Sequence, residues 1–363
     1  MHVMFQKFYY NLAFNGGSIV NYQKQDIVNG LSPVLMPVLA LAPLAGYTNP
    51  EFRLLALKWG ADLVYSEMIS SRGLIFGGCR TFELMERHSD EKNLFIQLFG
   101  DDPQIMGEAA AVISESGIAD GIDLNFGCPV KKVAKSGSGA VLMKTPEVAC
   151  AITEAVVRHS KVPVSIKFRL GWNDDAPAAK EFLDIAAQCK CCHAMIHGRW
   201  ATQFYRGESD WAALAELTSY ARLPVFVNGD VCSAEDALKI TELTGAAGIG
   251  VGRGALRRPW IFSEIKSSFS GETFREVPED NLLSRIEIAR WLLKATAWRL
   301  DSDGLKAKGY RKRPAPAYIR LRGHFMALIS SVDGASKIRQ SILAAKSDKE
   351  LDLILEELSV GGC

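Results

Sequence analysis

The residues that could do chemistry begin with one cysteine. In the stretch NFGCPVKK, Cys128 follows an apolar run and precedes Lys131 and Lys132. A thiol there can serve as nucleophile, metal ligand or proton donor. Its ordinary pKa of about 8.5 keeps it mostly protonated at neutral pH, whereas adjacent cations draw it toward thiolate. Other polar residues recur in the same setting, at the carboxyl ends of short apolar runs: Glu67, Gln97, Asn125, Lys167 with Arg169, His197 with Arg199, Asn228 with Asp230, and Gly252 with Arg253. Taken singly, most have a plain structural reading, such as a solvated Gln, a turn-forming NGD or a satisfied core histidine. Lys167 resists that reading, because SIKF sets an ammonium between apolar neighbours, where it needs an anionic or polar partner.

Eight runs of β composition supply these ends: 38–44, 62–68, 94–100, 121–127, 162–171, 193–198, 224–230 and 247–254. Helical patterns lie between them, for example at 103–117, 145–160, 178–190 and 233–245. Several open on Asp, Thr or Ser and two close on Gly, which is helix start and stop chemistry. Alternation of this kind implies parallel strands with helical crossovers, and eight units predict an α/β fold of the (β/α)8 TIM-barrel type, in which closure removes the sheet edges. An open doubly wound sheet is the alternative, and it seldom needs eight such regular units. In a barrel, chemistry gathers at the carboxyl ends of the strands, so the polar residues above would share one mouth. The last run, GIGVGRGAL, adds a Gly-rich turn, Arg253 and a helix start, which suit a phosphate and so imply a phosphorylated cofactor.

After Pro259 and Trp260 the strand pattern stops, and from about Asn281 the sequence reads as helical, interrupted by RKRPAPA. Three parts are expected: an N-terminal extension at 1–33, the barrel at 34–270 and a smaller all-helical unit at 280–358. A net charge of +1 hides their asymmetry, since Arg285 to Lys346 holds fourteen Lys and Arg against four acids. Alone, such a segment reads as a solvated helix face; beside a barrel with a phosphate site it becomes a candidate polyanion surface. The composition, 48% hydrophobic and 23% charged, is that of a globular protein. No apolar run is long enough to span a bilayer, and the first thirty residues lack signal-peptide or transit-peptide character. The eight cysteines are scattered, and those of CKCCH at 189–193 read as reduced and inert, without the second pair that a zinc site needs. A cytoplasmic monomer is expected, with no membrane partner and no metal.

The motifs APLAGYTNPEFR (42–53), SEM (66–68), QLFG (97–100), DLNFGCPVKKV (123–133), SGSGAVLM (136–143), SIKFRLGW (165–172), IHGR (196–199), VNGD (227–230) and GVGRGALRRPWIF (250–262) run in order along the chain. Together they resemble the tRNA-dihydrouridine synthases, and the last is closest to the bacterial B-type branch. The resemblance covers about residues 34 to 350. It implies reduction of the C5=C6 bond of tRNA uridines, with FMN as cofactor and NADPH, or else NADH, as reductant. It places flavin contacts at Pro43, Leu44, Ala45, Gln97, Lys167, His197, Asn228, Gly229, Asp230, Gly252 and Arg253, and the catalytic acid at Cys128. Two residues depart from the family pattern. Leu44 stands where Met is usual, and Trp200 where Thr is common, which suggests that a large aromatic faces the substrate.

Hydride at C6 and a proton at C5 are what this reaction requires, and a protonated thiol can give the proton. The acid would suffer if Lys131 and Lys132 faced it, so they are expected to point to RNA phosphate or solvent. Asn125 is a candidate for binding uracil, and Arg199 for the base or a phosphate. Arg311, Lys312, Arg313, Arg320 and Arg322 are candidates for gripping RNA. The small residues SGSGA after the lysines would form a mobile loop over the bound base. Two other readings stay open: another FMN barrel acting on a small molecule, like dihydroorotate dehydrogenases or ene-reductases, and an RNA-binding protein without catalysis.

Overall fold

The computed structural model describes residues 10–13, 19–22, 36–77, 79–296, 315–330 and 334–360 of the 363. Eight parallel strands form the centre: β1 (Val38–Leu41), β2 (Leu63–Tyr65), β3 (Leu94–Phe99), β4 (Gly121–Asn125), β5 (Val164–Arg169), β6 (His193–His197), β7 (Val225–Asn228) and β8 (Gly248–Val251). Each pairs with the next, and β8 returns to β1 with Gly248 opposite Val38 and Val251 opposite Leu41, so the sheet closes. All eight expected runs contain one of these strands. They are almost wholly buried because helices cover the outside and side chains fill the inside, which is why they read as continuous apolar runs without alternation.

The crossover helices begin and end where local chemistry dictates. Asp102 Oδ1 accepts from the N–H groups of Gln104 and Ile105, Pro103 takes the first helical position, and Gly117 ends the helix Pro103–Ser116 at φ 67°. Ser233 and Gly245 do the same for Ala234–Thr244. The helices Pro146–His159 and Ala179–Gln188 likewise fall within the expected spans.

The barrel interior is filled in its amino-terminal half by Tyr65, Phe95, Met195, Phe226 and smaller residues. His193 stacks on Phe226 at 4.3 Å between ring centres and meets the Tyr65 hydroxyl at 2.5 Å. Burial holds it neutral, with its pKa pushed down to about 3. Chemistry is therefore confined to the opposite, carboxyl-terminal mouth. Cys191 and Cys192 lie in the turn before β6, and burial pushes both thiols up. Cys189 caps the preceding helix, and its sulfur lies within 4.8 Å of the Cys150 sulfur and a Glu154 oxygen on the neighbouring helix, a pairing that sequence spacing conceals.

Beyond the barrel stand the helices Leu282–Ala295, Ala317–Arg320, Arg322–Leu328, Ala335–Ala344 and Asp348–Val360. Their apolar side chains, among them Ile286, Phe325 and Leu351, belong to the same continuous core as the barrel's outer face. Buried Arg285 ties the two parts together, donating to the carbonyls of Arg257 and Leu328 and to Asp280 Oδ1 at 2.9 Å. His324 Nε2 lies 2.8 Å from the Tyr47 carbonyl, in the loop after β1. In the N-terminal extension, Tyr10–Ala13 pairs antiparallel with Ile19–Tyr22. Among the described residues, no helix is long and apolar enough to cross a membrane.

Candidate active site

A cleft of about 860 Å³ opens at the carboxyl ends of the strands, inside the roughly 300–1,000 Å³ of small-molecule sites. The loop after β1 contributes Pro43, Leu44 and Ala45; β3 and β4 contribute Gln97, Asn125 and Cys128; β5 and β6 contribute Lys167 and His197; β7 and β8 contribute Asn228, Gly229, Asp230, Gly252 and Arg253. Thirteen residues singled out in the sequence thus meet in one place. Arg169 and Arg257 add cations to the wall, Tyr205 an aromatic ring and Met68 a thioether. The loop after β1 is held from below by Glu67, whose carboxylate accepts the Gly46 N–H at 2.5 Å.

Cys128 is half-buried, and its loop is fastened on both sides. Asn125 Oδ1 accepts the N–H groups of Gly127 at 3.1 Å and Cys128 at 2.9 Å, while the Cys128 carbonyl accepts the Ala140 N–H at 3.0 Å. Gly139 allows that approach: at φ 67°, a Cβ there would lie 2.7 Å from the Cys128 oxygen. Ser138 and Ala140 are buried, so the SGSGA run is not a flap over the cleft but a packed support behind the thiol. Burial raises the thiol's pKa, and the cations that oppose this are Arg169 and Lys167. Lys131 and Lys132 are exposed on the short helix Lys131–Lys135. The predicted conflict between cation and acid therefore comes from β5 and not from the lysines beside the cysteine, and burial wins it.

Lys167 reaches Asn228 Oδ1 at 3.3 Å, and burial pushes its pKa down to about 8. His197 is neutral at any ordinary pH, held far below its usual range by burial and by Arg169, Lys167, Arg199 and Arg253. Its Nε2 accepts from Arg199 Nη1 at 3.2 Å. Asp230 sits at φ 59°, where a non-glycine residue is strained, and its carboxylate is fully engaged. Arg199 Nη2 donates to both its oxygens at 2.8 and 2.6 Å, the Ser209 N–H donates at 2.8 Å, and Arg253 approaches at 3.1 Å. Tyr205 lies across the cationic wall, 5.5 Å from Arg169 and 5.3 Å from Arg253.

Four expectations change. Arg199 is 2% exposed, with its guanidinium spent on Asp230, His197 and the Gly207 carbonyl; it braces the cleft wall and presents nothing to a base. Trp200 does not face the cleft: its ring packs against Gly171, and Tyr205, five residues on, stands there in its place. Asn125 does line the cleft, but its Nδ2 is given to Gln97 Oε1 at 2.8 Å and its Oδ1 to the cysteine loop. Arg320 is paired with Glu51 at 3.2 Å. Arg322 is half-buried, and its Nε has no partner among the described residues. Arg311, Lys312 and Arg313 lie outside the described residues.

Sequence reading also missed the far wall, where Gly323, Met326, Ala327 and Ser330 of the helical unit line the cleft. Gly323 lets that helix approach, since a Cβ there would lie 2.9 Å from the Tyr47 ring. No sequence signal marks a helix as lining a distant pocket.

Comparison with known proteins agrees with this geometry. The family model described as dihydrouridine synthase matches residues 40–355. A probable tRNA-dihydrouridine synthase of Rickettsia bellii is 37% identical over 251 residues, covering 69% of this chain and 76% of that protein. A Mycobacterium leprae protein of the same name is 32% identical over 349 residues, covering 88% and 87% of the two chains. The tRNA-dihydrouridine synthase B of Vibrio cholerae is 37% identical over 241 residues, covering 66% and 74%. A match through the barrel and on into the helices that wall its cleft means that this chain belongs to the dihydrouridine synthase family.

Proposed function

We propose that the protein reduces the C5=C6 bond of uridines in tRNA, on the B-type branch of the family, with FMN as resident cofactor, NADPH as reductant and Cys128 as proton donor. The observation that carries this reading is a half-buried thiol, kept protonated by burial, at the edge of a cleft built for an anion. Among the described residues, four cations line that cleft, Lys167, Arg169, Arg253 and Arg257, against the single acid Asp230. The relatives' names support tRNA as substrate. The match through residue 355 takes in the basic helical unit, which an enzyme acting on a small molecule would not use.

The residues suit a flavin mononucleotide. Pro43, Leu44 and Ala45 offer an apolar side; Gln97, Lys167, His197 and Asn228 offer a polar edge; Gly252 and Arg253 offer a phosphate end. When bound and reduced, FMN supplies the hydride that uracil C6 accepts. The charge left at C5 is shared with the C4 carbonyl, and the Cys128 thiol transfers its proton to C5. Lys167, desolvated in the cleft wall, would favour negative charge at the cofactor's edge. The barrel at 34–270 would carry this chemistry while the unit at 280–358 and Lys131 and Lys132 meet the RNA.

Replacing Cys128 with Ala tests the reading. Reduction of the bound flavin by NADPH should persist while dihydrouridine formation falls by about 10²–10⁴-fold. Undiminished dihydrouridine formation would overturn the assignment.

A further inference from the structure

Beneath the Cys128 loop runs a chain of side-chain hydrogen bonds that starts at a wholly buried acid. Asp123 on β4 accepts from Gln97 Nε2 at 2.7 Å and from Ser165 Oγ at 2.6 Å. Gln97 Oε1 accepts from Asn125 Nδ2 at 2.8 Å, and Asn125 Oδ1 accepts the Gly127 and Cys128 N–H groups. An ionised carboxylate can only accept, so it decides which end of the Gln97 amide faces it. That choice leaves Gln97 Oε1 for Asn125, and it leaves Asn125 Oδ1 for the loop. Were the Gln97 amide reversed, Asn125 would have to turn as well, and its NH2 would then confront two backbone donors.

We propose that Asp123 is a positioning residue for the proton donor: through Gln97 and Asn125 it fixes the backbone at Cys128 and hence the direction of the thiol. This rests on the reading of Cys128 as the acid, and it gives a task to a buried carboxylate that the reaction does not otherwise use. Burial pushes Asp123 up to about 7, opposed by its two hydrogen bonds and by Lys167. The titratable groups facing it are Lys167 from β5, Tyr65 from β2, and Cys191 and Cys192 from the turn before β6. A proton on Asp123 can sit on Oδ1 and go to Ser165, so Oδ2 still accepts Gln97 Nε2 and the chain keeps its direction.

The test compares Asp123→Leu, which cannot accept, with Asp123→Asn, whose Oδ1 can still take Gln97 Nε2 while its Nδ2 donates to Ser165. Two readouts on the holoenzyme are needed: the iodoacetamide alkylation rate of Cys128, followed by peptide mass, and single-turnover tRNA reduction beside flavin reduction by NADPH. In Asp123→Leu, alkylation should change by about fivefold or more, and tRNA reduction should slow by about tenfold to a hundredfold, while flavin reduction stays within about threefold. Asp123→Asn should hold all three within about threefold. Unchanged alkylation in Asp123→Leu, or an Asp123→Asn defect as deep as that of Asp123→Leu, overturns the proposal.

If Asp123→Leu does not fold, Gln97→Glu decides. Its carboxyl can link Asp123 to Asn125 only while it holds a proton, so the Cys128 alkylation rate, taken relative to wild type at each pH, should change with rising pH together with tRNA reduction. A flat profile overturns the proposal. Cys128→Ala, run in parallel, separates the two readings: full tRNA reduction in it refutes the acid, while alkylation in the Asp123 variants still reports on the loop.

Discussion

At the barrel mouth Lys167, Arg169, Arg253 and Arg257 line the cleft with Asp230 as the one acid among the described residues, whereas in the helical unit Arg285, Arg290 and Arg320 are each met by a carboxylate. Arg285 pairs with Asp280 at 2.5 Å, Arg290 with Asp352 at 3.1 Å and Arg320 with Glu51 at 3.2 Å. The last two partners lie 62 and 269 residues away in the chain. A count of charges along a segment sees the cations and misses the acids folded against them. The barrel keeps a net surplus at its cleft, while three of the cations counted between Arg285 and Lys346 are structural.

Arg285 gives the largest test of that difference. Arg285→Met would leave Asp280 and the carbonyls of Arg257 and Leu328 without their buried partner. Asp280 is half exposed and can turn to water, so the cost is that of two carbonyls losing their donor, about 1–3 kcal/mol each. Urea unfolding should show this as a lower midpoint with unchanged m, and the salt dependence of tRNA binding should be unaltered. Wild-type stability together with weakened tRNA binding would move Arg285 to the RNA surface and break the comparison.

His324 sharpens it at the contact between the two regions. Wholly buried between Tyr47 and Phe52, it has its pKa pushed down to about 4 by desolvation. The unfolded chain takes up this proton near 6.5, so between pH 6.5 and 4 the unfolded state holds more protons than the folded one. This contribution is complete above pH 6.5 and is lost as pH falls toward 4. At 1.36 kcal/mol per pH unit, it amounts to about 3 kcal/mol. Stability measured from pH 7 to 4.5 should decline less steeply in His324→Gln than in the wild type. Parallel curves would show that acid sensitivity resides elsewhere, for instance at His193 inside the barrel, whose pKa lies at about 3.

What the sequence made legible was local. The eight strand runs, the caps at Asp102 and Ser233 and the stops at Gly117 and Gly245 follow from side-chain period and capping chemistry, so those elements could be placed without tertiary knowledge. Thirteen site residues converge because the barrel topology alone brings strand ends together. What was not legible depended on partners from elsewhere. Arg199 looks ligand-ready until Asp230, thirty-one residues on, is found to hold it. SGSGA suggests mobility, but it is small because Gly139 and Ala140 must pass close to the Cys128 carbonyl. Trp200 drew attention by its size, yet the turn that follows carries Tyr205 to the cleft instead, with Phe204 at φ 53° and its carbonyl held by Arg169 Nη1 at 2.8 Å.

The smallest expected effect contrasts cations that share one motif stretch with a cation already spent. Lys131 and Lys132 are exposed and have no ion pair among the described residues, whereas Arg320 has only 18% of its side chain exposed and lies against Glu51. A phosphate contact releases counterions, and each one contributes about 0.7–0.9 to the slope of log affinity against log salt. The double variant Lys131→Gln, Lys132→Gln should therefore lower the slope for tRNA by up to about 1.4–1.8, with thermal stability unchanged, because exposed charges without partners contribute little to folding. Arg320→Gln should leave the slope as it is and lower stability, since Glu51 would lose the Arg320 partner while buried. A slope that drops with Arg320→Gln but not with the lysine pair would mean that Arg320, and not the cysteine loop, contacts phosphate. The contrast between these cations would then run the other way.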